Sequence, residues 1–179
     1  FTRNNFAYAD LKYDHTFGAA TSFSSRIFLN EYFHYGSYPF SLLWIDSVRA
    51  NWGGGEGRFQ WDISPDQRLI VGVEAKKVFS AHYLSYDSAV VYVDDDYPFS
   101  GASIYAQDEY QILSNLSLTF GYRYDHTSLS GGKAAPRGAL VYHPLEKTTL
   151  KLLYGRAFRT PSFWESFLED GTFYKKNLS

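Results

Sequence analysis

The stretch Leu116-Ser117-Leu118-Thr119-Phe120-Gly121-Tyr122-Arg123-Tyr124-Asp125 decides the fold. Leu116, Leu118, Phe120, Tyr122 and Tyr124 share one parity, and Ser117, Thr119, Gly121, Arg123 and Asp125 the other. A β-strand sends successive side chains to opposite faces and separates these two sets cleanly. A 3.6-residue period would mix them. The run is longer than the ~5–6 residues of an ordinary strand and matches the ~9–11 of one that crosses a bilayer.

Working outward, the same alternation recurs in seven further runs. In 58–64, Phe59, Trp61 and Ile63 oppose Arg58, Gln60, Asp62 and Ser64. In 68–79, Leu69, Val71, Val73 and Ala75 oppose Arg68, Glu74 and Lys76, and in 148–158, Leu150, Leu152, Tyr154 and Phe158 oppose Thr149, Lys151 and Gly155. Weaker copies occupy 5–14, 21–34, 103–113 and 137–144. Glu31 and Asp108 fall on otherwise apolar faces, which either sets them at a membrane boundary or marks a slip of parity there.

Connectors alternate in length. Ser64-Pro65-Asp66-Gln67, Leu113-Ser114-Asn115 and Pro144-Leu145-Glu146-Lys147 carry tight-turn chemistry, and 15–20 is a slightly longer version. Between them lie the long stretches 35–57, 80–102 and 127–136. Short and long connectors in strict alternation form the pattern of an up-and-down outer-membrane barrel, with tight turns on the periplasmic side and long loops outside. Tyr32, Phe33, Tyr83, Tyr86, Tyr110, Tyr122 and Tyr124 sit near strand ends, where aromatic girdles belong.

Composition agrees. Of 179 residues, 16 are Tyr, 15 Phe and 4 Trp, too aromatic a chain for intrinsic disorder. The absence of Cys removes disulfide scaffolds and thiolate metal sites. A net charge of -2 leaves no electrostatic footprint for nucleic acid. Apolar runs such as Leu42-Leu43-Trp44-Ile45 fall far short of the ~20 residues of a membrane helix. The chain opens on Phe1 and lacks Met, which suggests a piece of something longer. The expectation is an all-β, antiparallel, up-and-down transmembrane barrel segment of about eight strands. Two rivals make different demands. A complete eight-stranded barrel of structural or adhesive role requires pairing between the strands near Ala7 and Leu152. A soluble ligand-binding β-barrel requires Leu118, Phe120, Val71 and Val73 to point inward.

Residues 102–179 carry a family resemblance. Its motifs are Ile104-Tyr105-Ala106-Gln107-Asp108-Glu109-Tyr110, the stretch 115–125, Pro136-Arg137-Gly138-Ala139-Leu140-Val141-Tyr142 and Tyr154-Gly155-Arg156-Ala157-Phe158-Arg159-Thr160-Pro161-Ser162. In order and spacing these resemble TonB-dependent outer-membrane receptors, importers of siderophores, haem, cobalamin and similar large nutrients. Gly72-Val73-Glu74 is similar to the family's "G-x-E" strand, and Lys176-Asn177-Leu178-Ser179 to the start of a box that follows "F-R-x-P". The resemblance implies a 22-stranded barrel in the bacterial outer membrane, about a third of it in this chain. It also implies a plug domain and a TonB box outside this chain, the TonB complex as partner, surrounding lipid, and an iron–siderophore, haem or cobalamin-like ligand. It implies no cofactor and no enzymatic activity.

Candidate sites follow from parity. Arg123, Arg137 and Arg159, beside Glu109, Gln107 and Lys151, are expected to face the lumen and meet the plug or an anionic ligand, since guanidinium pairs carboxylates bidentately. A solvated wall of mutual ion pairs is the plainer alternative. His34, His82 and His126 fall at or beyond outward strand ends, where they could hold haem or a metal. Thr160 stands where haem receptors of the family carry Ala. The Asp94-Asp95-Asp96 run reads as a solvated loop cluster or, less simply, a Ca²⁺ site. No phosphate loop, Ser elbow or paired-His motif occurs. Gly53-Gly54-Gly55-Glu56-Gly57 lacks the Lys-Ser/Thr of a P-loop and is expected to supply loop flexibility. A barrel lipase or protease is the enzymatic alternative.

Overall fold

The computed structural model describes residues 1–39 and 42–159. Among the described residues nine strands appear: β1 (Thr2–Thr16), β2 (Thr21–Pro39), β3 (Leu43–Ser64), β4 (Gln67–Tyr86), β5 (Val91–Asp96), β6 (Phe99–Leu113), β7 (Leu116–Thr127), β8 (Gly131–Leu145) and β9 (Thr148–Gly155). All pairings are antiparallel, and the sheet runs β1-β2-β3-β4-β6-β7-β8-β9, with β5 attached to β4 off that path. The eight expected strands thus lie in sequence order, each beside its neighbour.

The path is open. β1 and β9 make no contact with one another, and both are exposed along their whole length. The pairing that a closed eight-stranded barrel needs is therefore missing among the described residues.

Four expectations about boundaries are corrected. The stretch 35–57 is mostly strand: β2 runs on to Pro39 and β3 starts at Leu43, so the glycine run 53–57 is paired backbone rather than flexible loop. Likewise β4 continues to Tyr86 and pairs with β5 inside the supposed loop 80–102, while β7 and β8 leave only 128–130 between them. At the other end β9 stops at Gly155, short of Phe158. The 22 residues of β3 extend roughly 70 Å at ~3.3 Å per residue, about twice what a bilayer crossing needs. The surplus projects on the side away from the tight turns.

Register explains how two chemically different faces survive across eight strands. Val71 pairs with Phe59 and Ala106, and Ala106 with Tyr122, so one face gathers apolar residues row after row. Glu74 pairs with Glu56 and Ser103, and Ser103 with Asp125, so the other face gathers polar ones. Leu118, Phe120, Val71 and Val73 are exposed on the apolar face, at 39%, 56%, 37% and 57%. A bulge within β4 intervenes: Asn51 pairs with Ser80 and Trp52 with Val78, leaving Phe79 as the extra residue and reversing the parity of β4 beyond it. Tyr83 and Ser85 consequently turn to the polar face, the inner one in that its residues are the less exposed, and His82 to the apolar, outer face.

Candidate functional site

The polar face is held together by hydrogen bonds that run across strands. Arg123 on β7 is its hub. Its Nε donates to Asp125 at 2.9 and 3.0 Å, and its Nη2 donates to Glu74 Oε2 at 2.8 Å and to Ser103 Oγ at 2.9 Å. Ser103 in turn donates to Asp125 Oδ1 at 2.5 Å, and the guanidinium lies 5.7 Å from the centre of the Tyr105 ring. One cation thus ties together β4, β6 and β7, as alternation and register require for residues that share a face.

Nearer the tight turns a second chain forms. Arg137 on β8 donates to Gln107 Oε1, and Gln107 donates to Glu109 Oε1 at 2.6 Å. Glu109 stands 3.9 Å from Arg68, whose Nε donates to Asp62 Oδ1 at 2.6 Å. Gly121 lies opposite Arg137, and a Cβ there would come within 2.6 Å of the Arg137 Nε, so glycine makes room for the guanidinium to lie across β7. Arg26 and Asp10 repeat the pattern between β2 and β1. Above this wall lies an open cavity of about 800 Å³, lined among others by Glu56, Glu74, Arg123, Asp125, Arg137 and Arg156. Cations and carboxylates balance in number there, which suits a hydrated, self-paired wall rather than a focused anion trap.

Arg123, Arg137, Glu109 and Gln107 therefore share one face, as alternation predicts. Arg159 follows β9 and is exposed, while Thr160, Pro161 and the 176–179 box lie outside the described residues. The three histidines do not converge. His34 sits on the inner face of β2 with Nδ1 2.8 Å from Asn4 Oδ1, His82 sits on the outer face with Nε2 2.8 Å from Asp94, and His126 pairs with Ala102 on the apolar face. The Asp94-Asp95-Asp96 run is strand, not loop. Asp94 meets His82, Asp95 accepts from Tyr97 Oη at 3.2 Å, and Asp96 accepts from Ser80 Oγ and the Ala81 amide. Among the described residues no acidic or histidine group is arranged to hold a metal ion.

Alternation does not reveal a second polar cluster on the inner face of the projecting strands. Asp46 on β3 accepts from Ser85 Oγ at 2.6 Å, Trp44 Nε1 at 2.9 Å and Tyr83 Oη at 3.1 Å. Tyr92 of β5 stacks on Trp44 with ring centres 4.7 Å apart. Ser85 and Tyr83 are the most enclosed side chains here, 1% and 4% exposed, and burial pushes the Tyr83 phenol up to about 12. Of the supposed girdle, Tyr122 and Tyr124 lie on the apolar face, whereas Tyr83 is inside and Tyr32 donates to Asn4 on the inner side.

Comparison with known proteins rests on this geometry. No curated protein matches the chain. The described sheet resembles the copper transporter OprC, with a TM-score of 0.70 and 17% identity over 90% of this chain and 31% of that one. It also resembles the ferric citrate transporter FecA in its unliganded form, with a TM-score of 0.64 and 16% identity over 84% of this chain and 27% of that one. The chain thus spans under a third of either structure, and at this identity the likeness establishes the fold alone: an antiparallel segment of a large barrel. The family model for the TonB dependent receptor-like β-barrel matches residues 1–178, and the chain belongs to that family.

Proposed function

We propose that the chain forms part of the wall and outward-reaching strands of a bacterial outer-membrane receptor that imports an iron–siderophore complex or a comparable large nutrient. In this reading a plug domain closes the lumen and the TonB complex drives transport. The observation that carries it is the two-sidedness of the sheet. The same strands present exposed Ile104, Phe120 and Val73 on one face and the Arg123–Glu74–Asp125 network on the other. Lipid outside and a water-filled, plugged lumen inside are the two solvents that such faces require. The two structural relatives are named for ferric citrate and copper, which supports a metal or its complex as cargo. The reading needs no catalytic residue, because energy comes from outside the barrel and no bond in the cargo is broken.

The test uses cells that express the full-length receptor, supplied in turn with labelled ferric siderophores, haem and cobalamin, with and without TonB. Accumulation of one cargo only when TonB is present is expected. Accumulation unaffected by loss of TonB would overturn the transport reading.

A further inference from the structure

The polar face changes character along the strands. On the wall, cations meet carboxylates: Arg26 pairs with Asp10, Arg68 with Asp62, and Arg123 with Glu74 and Asp125. Lys76 is the next residue after Glu74 on this face of β4, and its ammonium lies 5.6 Å from the centre of the Trp52 ring. Beyond it, toward the projecting ends, the polar face carries no Lys or Arg among the described residues. Arg3 and Arg49 reach that height but belong to the opposite face, in register with Tyr35 and Phe33, and Arg49 lies over the Phe33 ring. Aromatic side chains take the place of the cations: Tyr32, Tyr38, Trp44, Trp52, Tyr83 and Tyr92.

Asp46 stands within this aromatic surface, half-buried, with one oxygen that the fold does not use. Trp44 Nε1, Tyr83 Oη and Ser85 Oγ all donate to Oδ1, and Oδ2 accepts from no group among the described residues. Rings flank it. Trp44 stacks on Tyr92, and Gly36, the register partner of Asp46 on β2, leaves room for the Tyr38 ring, which a Cβ there would meet at 2.6 Å. A single acceptor oxygen would serve the three donors, and an amide side chain would supply it. The carboxylate adds a negative charge, which is costly to enclose without a cation. All three donors are neutral, so the described sheet does not balance it.

Resting on the receptor reading above, we infer that Asp46 Oδ2 receives a protonated amine carried by the cargo, between the Tyr38, Trp44 and Tyr83 rings, and that this mouth selects a cationic complex over an anionic one. Ring faces attract an ammonium through their quadrupole. A hydrogen bond from that ammonium to a carboxylate oxygen is about twice as strong as a neutral one. A polyanionic complex would instead meet Asp46, and Asp95 in register with Tyr83, on a stretch with no guanidinium to offset them. Asp46 thus filters cargo by charge before the self-paired wall is reached.

Quenching of tryptophan fluorescence in the full-length receptor reads this with two probes. Ferrioxamine B carries a pendant ammonium, and its N-acetyl derivative holds iron through the same groups without that charge. Wild type is expected to bind ferrioxamine B at least about tenfold more tightly than the acetylated complex, and ferric citrate more weakly still. Asp46→Asn keeps the oxygen that Trp44, Tyr83 and Ser85 need and removes the charge. It is expected to bring the two ferrioxamines within about twofold of each other, with thermal unfolding as in wild type. Should that variant fail to fold, the wild-type ratio at low and high salt carries the test, because screening must narrow it. Equal affinity of wild type for the two ferrioxamines, tighter binding of ferric citrate or no binding of ferrioxamine B overturns the inference. So does a ratio unmoved in folded Asp46→Asn or by salt. Accumulation of cargo without TonB would be a failure of the transport reading itself.

Discussion

Arg123 on β7 reaches over β6 to Glu74 on β4, with Nη2 2.8 Å from Oε2. The two residues are 49 positions apart in sequence, and neither strand hydrogen-bonds to the other, so the ion pair adds a link that the backbone ladder does not. Both side chains are more than a third exposed, at 37% and 36%, and solvent screens them, so the pair itself contributes about 0.5–1 kcal/mol. Removing the cation costs more than the pair is worth, because Glu74 and the 14%-exposed Asp125 are then left facing one another.

Arg123→Ala in the full-length receptor should therefore lower unfolding stability by about 1–3 kcal/mol. The double variant with Glu74→Ala should recover part of that loss, with a coupling of about 0.5–1 kcal/mol. Denaturant unfolding of the four proteins of the cycle measures both. A coupling near zero would mean that the pair is ornamental to the wall.

The glycine run offers a sharper contrast. A Cβ on Gly54 would collide with the Ala75 carbonyl oxygen and sit 2.7 Å from the Phe28 ring, while one on Gly57 meets only ordinary contacts. Gly54→Ala should destabilise by about 1–3 kcal/mol through overpacking. Gly57→Ala should be neutral, or stabilising by about 0.5–1 kcal/mol, since Ala loses less chain entropy than Gly in a strand. Equal effects at the two positions would count against the β3–β4 register.

That run also shows where the sequence stopped being legible, and why. Alternation exposes a strand only when one face is apolar and the other polar, which holds for 116–125 and for the polar wall around Arg123. The outer parts of β4 and β5 have polar residues on both faces, such as His82, Ser85 and Asp94, and a register shift between Ser85 and Tyr86 interrupts the pairing, so no period emerges. Gly53–Gly57 reads as a linker because the reasons for Gly53, Gly54 and Gly55 lie on neighbouring strands. The bulge at Phe79 swaps the faces of Tyr83 and His82, which no local pattern announces. Glu31 and Asp108 could be judged only with pairing in hand. Glu31 stays in register with Ala7 and Asn51, and Asp108 with Leu69 and Phe120, so parity does not slip at either. Asp108 is instead held by Gln67 Nε2 at 3.1 Å, at the turn end of the apolar band.

Asp46 is the keystone of the projecting strands, because three donors from β3 and β4 converge on its carboxylate. Asp46→Ala removes the acceptor for the hydroxyl proton of Ser85, which is almost fully enclosed and keeps only the bond it accepts from Trp44 Nε1. A loss of about 1–3 kcal/mol is expected, confined to this outer region. Hydrogen exchange should accelerate at Ser85 and Tyr92 while amides of β7 keep their protection. Acceleration spread evenly over the sheet would argue that the outer strands do not open as a separate unit.

The turn between β4 and β5 should respond to acid through Asp87. Its carboxylate accepts from Tyr92 Oη at 2.6 Å and from the amides of Ala89 and Val90 at 2.7 and 2.8 Å. The Tyr92 hydrogen bond foremost, then the two amides, holds the acid below the ordinary value of 3.8, and the same bond raises the Tyr92 phenol. A carboxyl whose folded value is depressed stabilises the structure above its unfolded value and loses that contribution as pH falls through the folded one. Protection of the Ala89 and Val90 amides, corrected for the intrinsic pH dependence of exchange, should hold at neutral pH and fall below about pH 4. In Asp87→Asn it should be weaker at neutral pH and flat across that range, because the amide side chain neither titrates nor binds three donors as strongly as the carboxylate. Protection that is lost already near about pH 6, or that falls equally in the Asn variant, would show that another group governs the turn.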